Sequence, residues 1–552
     1  MNLAQKIGRD RLSVSLQVIF LIGLFWMARY FHSSDFGLYE DDFTFVPQAI
    51  EMNLGELGEF IATYIVNLYG HGRPLSDSSI SLASHVGWNI GGLQAIYIIG
   101  FVIEAMNIAL FFLLLRRVAS PGIALLGGIA YALFSGDTTQ AFLIHSLGLQ
   151  PAMTLLLLGF HAFLSHRHLA TYLLAIGILF TYEVPYTVFF AAPLLHRPWD
   201  IEWRRRSIRH LIVLGLILLG GVLVRIAIDD DRVLGLSLTE AVAQPILRMA
   251  QGPIVALGSY FYRPIELLLS QIGEAWIATV LAAFTLATVI GLGFRFRERQ
   301  LSNRDFLMLV AAGIALLALA YPLAFTTRVT AISGRETRSH LAAAPGAALL
   351  IGVGGSYLIS QFERRKLRGL AVGIVGSFFA LLVGFGFVVQ RDYQRAWELQ
   401  QEFWREIIPE IRDAVGGTTV LVEPSGLGDT LHIGANTWNL PRILEQVYEF
   451  PQDWDAPPRV IRLQREWSDH LIANNGLFRL NPVTAMMPES LSNNIPSSTV
   501  LWIETESGSP IRRTTPLEME QRSYSLKPIA NRDFRQYQRG ILYEILIEDS
   551  GS

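Results

Sequence analysis

Cysteine is absent from the 552-residue chain. Its absence excludes disulfide bonds, thiol chemistry, and zinc or iron–sulfur centres held by cysteine. Charge is also scarce, because only 16% of the residues are charged and the formal net charge is −3. No run of Lys and Arg alternates with aromatic residues as a nucleic-acid surface requires, so we expect no nucleic-acid partner.

Apolar residues are abundant instead, at 51% of the chain, and the mean hydropathy is positive. This composition is too apolar for an ordinary soluble enzyme, so we predict an integral membrane protein. The first apolar run, residues 12–31, has about the length of one membrane span and is followed by no small-residue cleavage pattern. We interpret it as a retained helix and not as a signal peptide.

Further apolar stretches follow at residues 93–115, 122–134, 147–164, 169–180, 184–195, 211–228, 275–293, 306–325, 341–360 and 370–389. Several are shorter than the roughly 20 residues that a helix needs to cross the hydrocarbon layer. They form either short hairpins or parts of longer helices. In particular, the pair on either side of Tyr182 and Glu183 is either a hairpin or one helix with a buried Glu.

Basic residues near the span ends decide between these alternatives, because Lys and Arg collect on the cytoplasmic side of a membrane. If both short pairs are hairpins, one face carries Lys6, Arg9, Arg11, Arg116, Arg117, Arg167, Arg204, Arg205, Arg206, Arg295, Arg297, Arg299, Arg364, Arg365 and Lys366. The pattern favours a polytopic α-helical protein with about eleven transmembrane helices. Its N-terminus is then cytoplasmic and its C-terminal region extracytoplasmic. We expect the membrane to be a bacterial plasma membrane.

Residues 391–552 are predicted to form a separate extracytoplasmic domain of mixed α and β structure. Hydropathy falls after residue 390, and Pro, Asp, Asn and Ser become common. Short strands are expected at residues 418–422, 460–463, 499–504 and 541–547. A glycine-rich turn at 426–429 matches neither a dinucleotide nor a phosphate loop. Residues 1–390 make up the transmembrane domain.

Three carboxylates, Glu40, Asp41 and Asp42, lie just beyond the first apolar run and are flanked by Tyr39 and Phe43. A carboxylate at a water-excluding boundary can act as a general base toward a sugar or lipid hydroxyl, and two together can hold a divalent cation. The alternative is a solvated acidic turn. We predict that Asp41 and Asp42 are catalytic and that Glu40 supplies an additional charge to a bound substrate.

Four further candidates lie near predicted outer loops. Arg73 can bind a phosphate bidentately and His71 can relay a proton or shield a diphosphate, although the same residues suit a Gly-Pro turn. Asp137 is either a helix N-cap or a cavity residue. Glu183, between aromatic residues and a proline, faces the same choice between helix N-cap and cavity residue.

A last group, Arg335, Arg338 and His340, lies at the outer end of the predicted ninth and tenth helices. Positive charge on this face favours an anion site, such as one for a lipid phosphate. The alternative is contact with anionic headgroups or with the acids at 229–231. Those acids are themselves interpreted as a solvated loop.

Residues 39–43, 71–75, Tyr182-Glu183 and 334–340, together with the layout of residues 1–390, resemble the GT-C superfamily of membrane glycosyltransferases. That superfamily includes the protein O-mannosyltransferases and the lipid A aminoarabinose transferases. The resemblance implies a sugar donor on a polyprenyl phosphate and inverting transfer, on the outer face of the membrane, to a lipid, glycan or protein acceptor. Membrane lipids are the other expected partners.

Carried over to this sequence, the resemblance implies that Asp41 or Asp42 deprotonates or orients the acceptor. Arg335 and Arg338, with Arg73, would neutralise the leaving lipid phosphate, on which charge develops. The adjacent Asp pair replaces the Asp-Glu pair of the mannosyltransferases. The single Asp137 stands where the oligosaccharyltransferase branch holds several metal-binding acids. The identity of the base and any need for a divalent cation therefore stay open.

Two other classes of function are consistent with the same residues. A transporter or flippase of lipid-linked glycans would use the same carboxylates and arginines to hold its substrate, but it would also place ionisable groups deep in several helices. A structural assembly subunit would need no cavity at all.

Overall fold

The computed structural model describes residues 3–196, 199–230, 238–270, 302–324, 328–422, 430–433, 440–463, 471–474, 476–480, 495–504, 510–519, 522–530 and 533–548. The chain divides into two compact units. The helical unit contains Met1–Ser34 and Met52–Arg391, and the C-terminal unit contains Asp35–Glu51 and Asp392–Ser552. The acidic segment that we placed in the transmembrane domain therefore groups with the C-terminal unit.

In chain order the described α-helices are α1 (Leu3–Arg29), α2 (Asp42–Glu51), α3 (Leu54–Asn67), α4 (Tyr69–Gly72), α5 (Pro74–Val118), α6 (Pro121–Ala132), α7 (Gln150–Leu164), α8 (His168–Thr181), α9 (Ile201–Ala227), α10 (Leu238–Ser270), α11 (Asn303–Ala318), α12 (Ala344–Arg364), α13 (Arg368–Glu410), α14 (Leu440–Val447) and α15 (Ile541–Leu546). A π-helical turn precedes α7 at His145–Leu149. Segments of 3-10 helix lie at Val184–Leu195 and Arg335–Ala343; we call them segment 184–195 and segment 335–343.

Long apolar helices dominate the helical unit and are compatible with an integral membrane protein. Within the described ranges, six stretches are long and apolar enough to cross a membrane: Leu12–Asp35, Pro74–Val118, His145–Leu164, Ile201–Ala227, Arg335–Arg364 and Arg368–Glu410. On α9, Leu216, Leu219 and Leu223 are 55–63% exposed, as lipid-facing side chains would be. The expected number of about eleven spans stays a prediction, and the span expected at 275–293 lies outside the described residues.

Small residues allow the helices of this unit to pack closely. A Cβ atom on Gly352 of α12 would lie 2.7 Å from the backbone nitrogen of Gly127 in α6. Membrane helices lack a hydrophobic driving force between them, so close backbone approach at small residues supplies much of their association. The α6–α12 contact therefore depends on glycine at position 352.

Helix α8 and segment 184–195 do not form one continuous helix, because the helical backbone ends between them. Tyr182 has extended backbone angles, with φ −157° and ψ 116°, and it ends α8. Glu183 then precedes the 3-10 segment. The single-helix alternative for this pair is thus wrong, and Glu183 lies at the break, where the hairpin interpretation puts it. That both segments cross a membrane stays a prediction.

Nine short strands form three sheets in the C-terminal unit: β1 (Thr419–Val422), β2 (Arg459–Arg462), β3 (Leu471–Asn474), β4 (Leu477–Leu480), β5 (Ile495–Pro496), β6 (Val500–Glu504), β7 (Ile511–Arg512), β8 (Leu517–Met519) and β9 (Arg522–Tyr524), as counted over the described residues. The largest sheet has the order β2-β1-β6-β7. Its central strand β1 is parallel to both neighbours, with Val420 opposite Val460 and Leu501. Strands β1, β2 and β6 lie where the sequence predicted them.

The fourth predicted strand, at residues 541–547, is wrong, because this stretch forms helix α15. The helix buries Leu542 and Leu546 completely and packs against α14 and α2. In a strand Leu542, Glu544 and Leu546 would share one face, but Glu544 is exposed between the two buried leucines, as expected for a helix. Periodicity alone cannot assign a short apolar run to helix or strand, and here tertiary packing determines that residues 541–546 are helical. The glycine-rich turn at 426–429 lies outside the described residues.

Candidate functional site

Aromatic packing fixes the acidic segment within the C-terminal unit. The Phe36 ring stacks on Tyr393 of α13 with centroids 4.8 Å apart, and the Tyr39 ring meets the same side chain edge-on at 5.0 Å. The Tyr39 hydroxyl donates a 2.8 Å hydrogen bond to the backbone oxygen of Tyr393. The loop that carries Glu40, Asp41 and Asp42 is therefore held against a helix rather than left as a solvated turn.

The three carboxylates of this loop have different environments. Asp42 is completely buried, and its carboxylate accepts a 3.1 Å hydrogen bond from the Tyr39 N–H while its own N–H donates to the Tyr39 oxygen. It begins α2, where an acid is favoured by the helix dipole. Glu40 is buried and has a left-handed φ of 49°. Asp41 is partly exposed. Asp42 thus closes the turn, and Asp41 is the more accessible of the two predicted catalytic acids.

Replacing Gly37 with Ala is expected to destabilise the C-terminal unit by about 1–3 kcal/mol or more, the usual cost of overpacking a core. A Cβ atom at Gly37 would overlap the ring of Trp397, which is itself buried. The measurement is the thermal unfolding midpoint of the detergent-solubilised protein.

Gly58→Ala is the matched control, because a Cβ at Gly58 in α3 has nothing within 4 Å. Ala is the better helix former by about 1 kcal/mol, so this variant should be neutral or stabilised. A Gly37→Ala protein as stable as the Gly58→Ala protein would contradict the proposed anchoring of the acidic loop.

An ion-pair network occupies the end of α9 in the helical unit. Arg73 donates through Nε to Glu183 at 2.8 Å, and its Nη2 pairs with the other carboxylate oxygen. Arg225 donates to the same carboxylate at 3.0 Å and to Asp230 at 3.4 Å. The Arg73 guanidinium also lies over the Tyr182 ring, 4.8 Å from its centroid. Sequence reasoning placed Arg73 and Glu183 in one region, and the structure joins them directly.

Charge pairing sets the ionisation of this network. Burial by itself would raise the pKa of the Glu183 carboxyl, but the guanidinium groups of Arg73 and Arg225 outweigh it and hold that pKa well below its usual range. A carboxylate so occupied positions Arg73 and is poorly placed to receive a substrate. Asp230 is also paired and buried, so the solvated-loop interpretation is wrong for this residue; Asp231 lies outside the described residues.

A second polar group forms around Asp137. Its carboxylate accepts hydrogen bonds from the backbone N–H and hydroxyl of Thr139, both at 2.8 Å, and from the Thr337 hydroxyl at 3.3 Å. Asp137 lies in a buried loop before the π-helical turn, so it is not a helix N-cap. Burial raises the pKa of its carboxyl, although Thr139 and the nearby Arg29 charge oppose that rise. Thr337 belongs to segment 335–343, which brings Asp137 to the predicted arginines.

Tyr182 connects the two groups electrostatically. Burial raises the pKa of its hydroxyl, Arg338 and Arg73 oppose the rise, and Glu183 and Asp137 add to it. The positive charges of Arg335 and Arg338 also interact electrostatically with the buried side chain of His145. We use the name polar cluster for these residues of the helical unit: Arg73, Asp137, His145, Tyr182, Glu183, Arg335 and Arg338.

His340 lies beside the polar cluster but is engaged by the protein. Its Nε2 donates to the backbone oxygen of Ala331 at 3.1 Å, and its Nδ1 accepts from the Tyr321 hydroxyl at 2.9 Å. The Ala331 oxygen can only accept, which fixes this tautomer. Because both ring nitrogens are occupied and the side chain is fully buried, the structure argues against the predicted contact of His340 with substrate. The side chain of His71 lies outside the part of the chain that the structure describes.

Two residues of this region were not singled out from the sequence, His145 and Arg225. Both lie in apolar stretches. His145 begins the π-helical turn that precedes α7, and Arg225 lies in the last turn of α9. An ionisable residue within an apolar span is a functional-site signal by itself. The sequence therefore contained a signal for His145 and Arg225, but the predicted candidates came from loops and not from apolar stretches.

No protein-family model matches the chain, and a search of curated proteins finds no match. Among the described residues, no three His, Asp or Glu side chains converge in a way that could hold a metal ion; the divalent cation stays a prediction. The resemblance to GT-C glycosyltransferases therefore depends on the residues and layout of this chain alone, and the function that it implies is a proposal.

Proposed function

We propose that this protein is a membrane glycosyltransferase that moves a sugar from a polyprenyl-phosphate donor to a lipid, glycan or protein acceptor. The observation that carries the proposal is the polar cluster. Two half-buried arginines, Arg335 and Arg338, lie in one segment, and both interact electrostatically with the buried His145. Arg338 interacts with Tyr182 as well, and Thr337 of the same segment is hydrogen bonded to Asp137. Cations held in such surroundings suit a phosphate that is attached to a lipid chain.

The chemistry of transfer explains why the protein would need this arrangement. The acceptor oxygen bonds to the anomeric carbon, the bond from that carbon to the donor phosphate breaks, and the phosphate leaves with the electron pair. Arg335 and Arg338 stabilise the charge that develops on the phosphate, and in a low-dielectric site this help is large. The acceptor proton passes to a carboxylate, and the resemblance proposes Asp41 or Asp42 for this role.

In this proposal the other cluster residues have separate tasks. Glu183 is held by two guanidinium groups, so it fixes the orientation of Arg73 and Arg225. Asp137 is hydrogen bonded to Thr337 and thereby anchors segment 335–343. These contacts orient Arg73, Arg225 and segment 335–343 before a substrate binds. Less conformational entropy is then lost on binding.

The test measures sugar transfer from a panel of labelled polyprenyl-phosphate sugars by the purified protein in nanodiscs with acceptor extracts. Transfer from one donor is expected for the wild type, and its loss is expected for the Asp41→Asn, Asp42→Asn double variant. Asp35→Asn is the control, since Asp35 is an exposed acid of the same segment. Full activity in a correctly folded double variant would rule out the assigned role of these acids.

A transporter or flippase of lipid-linked glycans is kept as the second candidate because of Glu104. This carboxylate is buried in the middle of α5 and accepts a 2.7 Å hydrogen bond from the Tyr30 hydroxyl. Ionisable groups inside spans are typical of transport pathways. Donor binding without turnover in any acceptor extract, together with movement of the donor between leaflets, would favour this function over transfer.

A further inference from the structure

A cavity of about 60 Å³ lies in the helical unit, where α7, α8, segment 184–195 and α9 end or begin. Its size is enough for several water molecules, since roughly 10–15 Å³ holds one. It is lined by Phe163, His166, His168, Tyr172, Pro193, His196, Trp203, Arg206, Ser207 and Arg209. We call it the His/Arg pocket. None of these lining residues, all within the described ranges, is acidic, and none belongs to the polar cluster.

Local structure holds the imidazoles of this pocket in place. The turn between α7 and α8 puts His166 in a left-handed conformation with φ 58°, and His168 begins α8. His196 ends segment 184–195, and its ring meets the His166 ring edge-on with centroids 5.5 Å apart. The Trp203 indole N–H donates to the backbone oxygen of Pro193 at 2.8 Å, which ties α9 to segment 184–195.

The charges around the pocket leave it electropositive. Arg206 and Arg209 both come from α9, and Arg209 is hydrogen bonded to Tyr172. Two acids lie close to these residues: Asp200, whose carboxylate caps α9 by accepting from the Trp203 N–H at 2.7 Å, and Glu202, which is 75% exposed and lies 3.7 Å from Arg206. An exposed pair at this distance contributes little. Guanidinium groups and imidazoles around one small cavity are the groups that bind a phosphate.

The helices that form the pocket also expose apolar side chains beside it. On α8, Leu169 and Leu173 are 75% and 57% exposed, and on α9 Ile208 and Ile212 are 49% and 56% exposed. A cationic pocket at the end of such helices lies where the hydrocarbon layer meets the headgroups. Positive charge alone would serve orientation in the membrane, but orientation requires neither a cavity nor three histidines around it.

We propose that the His/Arg pocket binds the phosphate of an anionic phospholipid headgroup, with the acyl chains lying along the exposed apolar faces of α8 and α9. The site is distinct from the polar cluster, and it does not depend on the proposed transferase activity. Phosphate recognition is shared with inorganic phosphate, so the test separates the two sources.

The experiment reconstitutes the full-length protein in nanodiscs that contain equal amounts of phosphatidylcholine and phosphatidylglycerol, and then measures retained lipid after extraction into detergent by native mass spectrometry. Wild-type protein is expected to retain phosphatidylglycerol over phosphatidylcholine. The Arg206→Gln, Arg209→Gln variant should lose retention at least about tenfold, since each lost contact is a charge-assisted hydrogen bond.

Arg204→Gln, Arg205→Gln is the matched control, because it removes two charges from the same helix at exposed positions that do not line the pocket. A second variant, His168→Glu, introduces an acid at the N-terminus of α8, where the helix dipole favours it, so we expect the fold to be preserved. It should lose phosphatidylglycerol as well, with an unchanged thermal midpoint.

Equal loss in the pocket variant and the control would reduce the effect to net charge and overturn the proposal. Retention by His168→Glu would also overturn it, as would wild-type protein without preference for phosphatidylglycerol. In a parallel arm, inorganic phosphate is added to the lipid-loaded wild type. Displacement of phosphatidylglycerol supports the proposed site, whereas binding of phosphate without any retained phosphatidylglycerol would overturn the assignment to lipid.

Discussion

Glu183→Gln is expected to lower the free energy of unfolding by about 3–5 kcal/mol, the usual cost of removing one partner from a buried ion pair. The substitution leaves the guanidinium groups of Arg73 and Arg225 without their shared carboxylate in a buried site. The measurement is equilibrium unfolding in mixed detergent micelles.

Glu202→Gln provides the comparison, because it removes an acid that is 75% exposed and pairs with Arg206 at 3.7 Å. Exposed pairs contribute about 1 kcal/mol or less. If both variants lost the same small amount of stability, the buried network would not organise this region as described.

The same carboxyl predicts how stability depends on pH. The folded-state pKa of Glu183 lies below its ordinary value of 4.5, so the unfolded chain binds the proton first as the pH falls. The stabilisation is therefore fully present above about pH 4.5 and is lost as the pH falls toward the folded-state pKa. Glu183→Gln should remove this part of the acid sensitivity, which the same unfolding experiment can follow.

Replacing Arg335 and Arg338 together with Gln is expected to lower kcat/KM for the lipid-linked donor at least about 100-fold, the effect of removing electrostatic stabilisation from a transition state. This prediction rests on the proposed transferase function. Both side chains are half-buried in segment 335–343 and interact electrostatically with His145, and Arg338 does so with Tyr182 as well. The measurement is initial-rate transfer from the donor that the panel identifies.

Arg328→Gln is the control for this pair, because Arg328 is an exposed arginine close by in the chain. Its backbone N–H, which donates to Glu336, is unaffected by the substitution. Equal rates for the double variant and the control would remove the arginines from the mechanism. Transfer lost together with the thermal midpoint would assign them a structural role instead.

Several local features were predictable from the residues alone. The strands β1, β2 and β6 were found because runs of Val, Ile and Leu between turn residues are typical of buried strands. The turn at Glu183 was predicted as one of two alternatives, and the extended backbone of Tyr182 selected it. In contrast, residues 541–546 have a composition that suits strand and helix equally, and only the packing of Leu542 and Leu546 made them a helix.

The candidate site was partly predictable for a different reason. Sequence reasoning could choose Arg73, Asp137, Glu183, Arg335 and Arg338 singly, because ionisable residues near apolar segments are costly to hold. It could not pair them. The hydrogen bond between Asp137 and Thr337 joins positions 200 residues apart. Local sequence pattern cannot predict a contact between residues so far apart in the chain.

By itself, the sequence determined the apolar composition, the long apolar segments and the residue types available for chemistry, since these depend on local pattern and on transfer from water. Tertiary structure alone decided that Arg225 completes the pairing of Glu183, that His340 is occupied by Tyr321 and Ala331, and that Asp42 closes its own turn. These outcomes depend on which distant groups satisfy a buried charge or hydrogen bond, and that partner is chosen by packing.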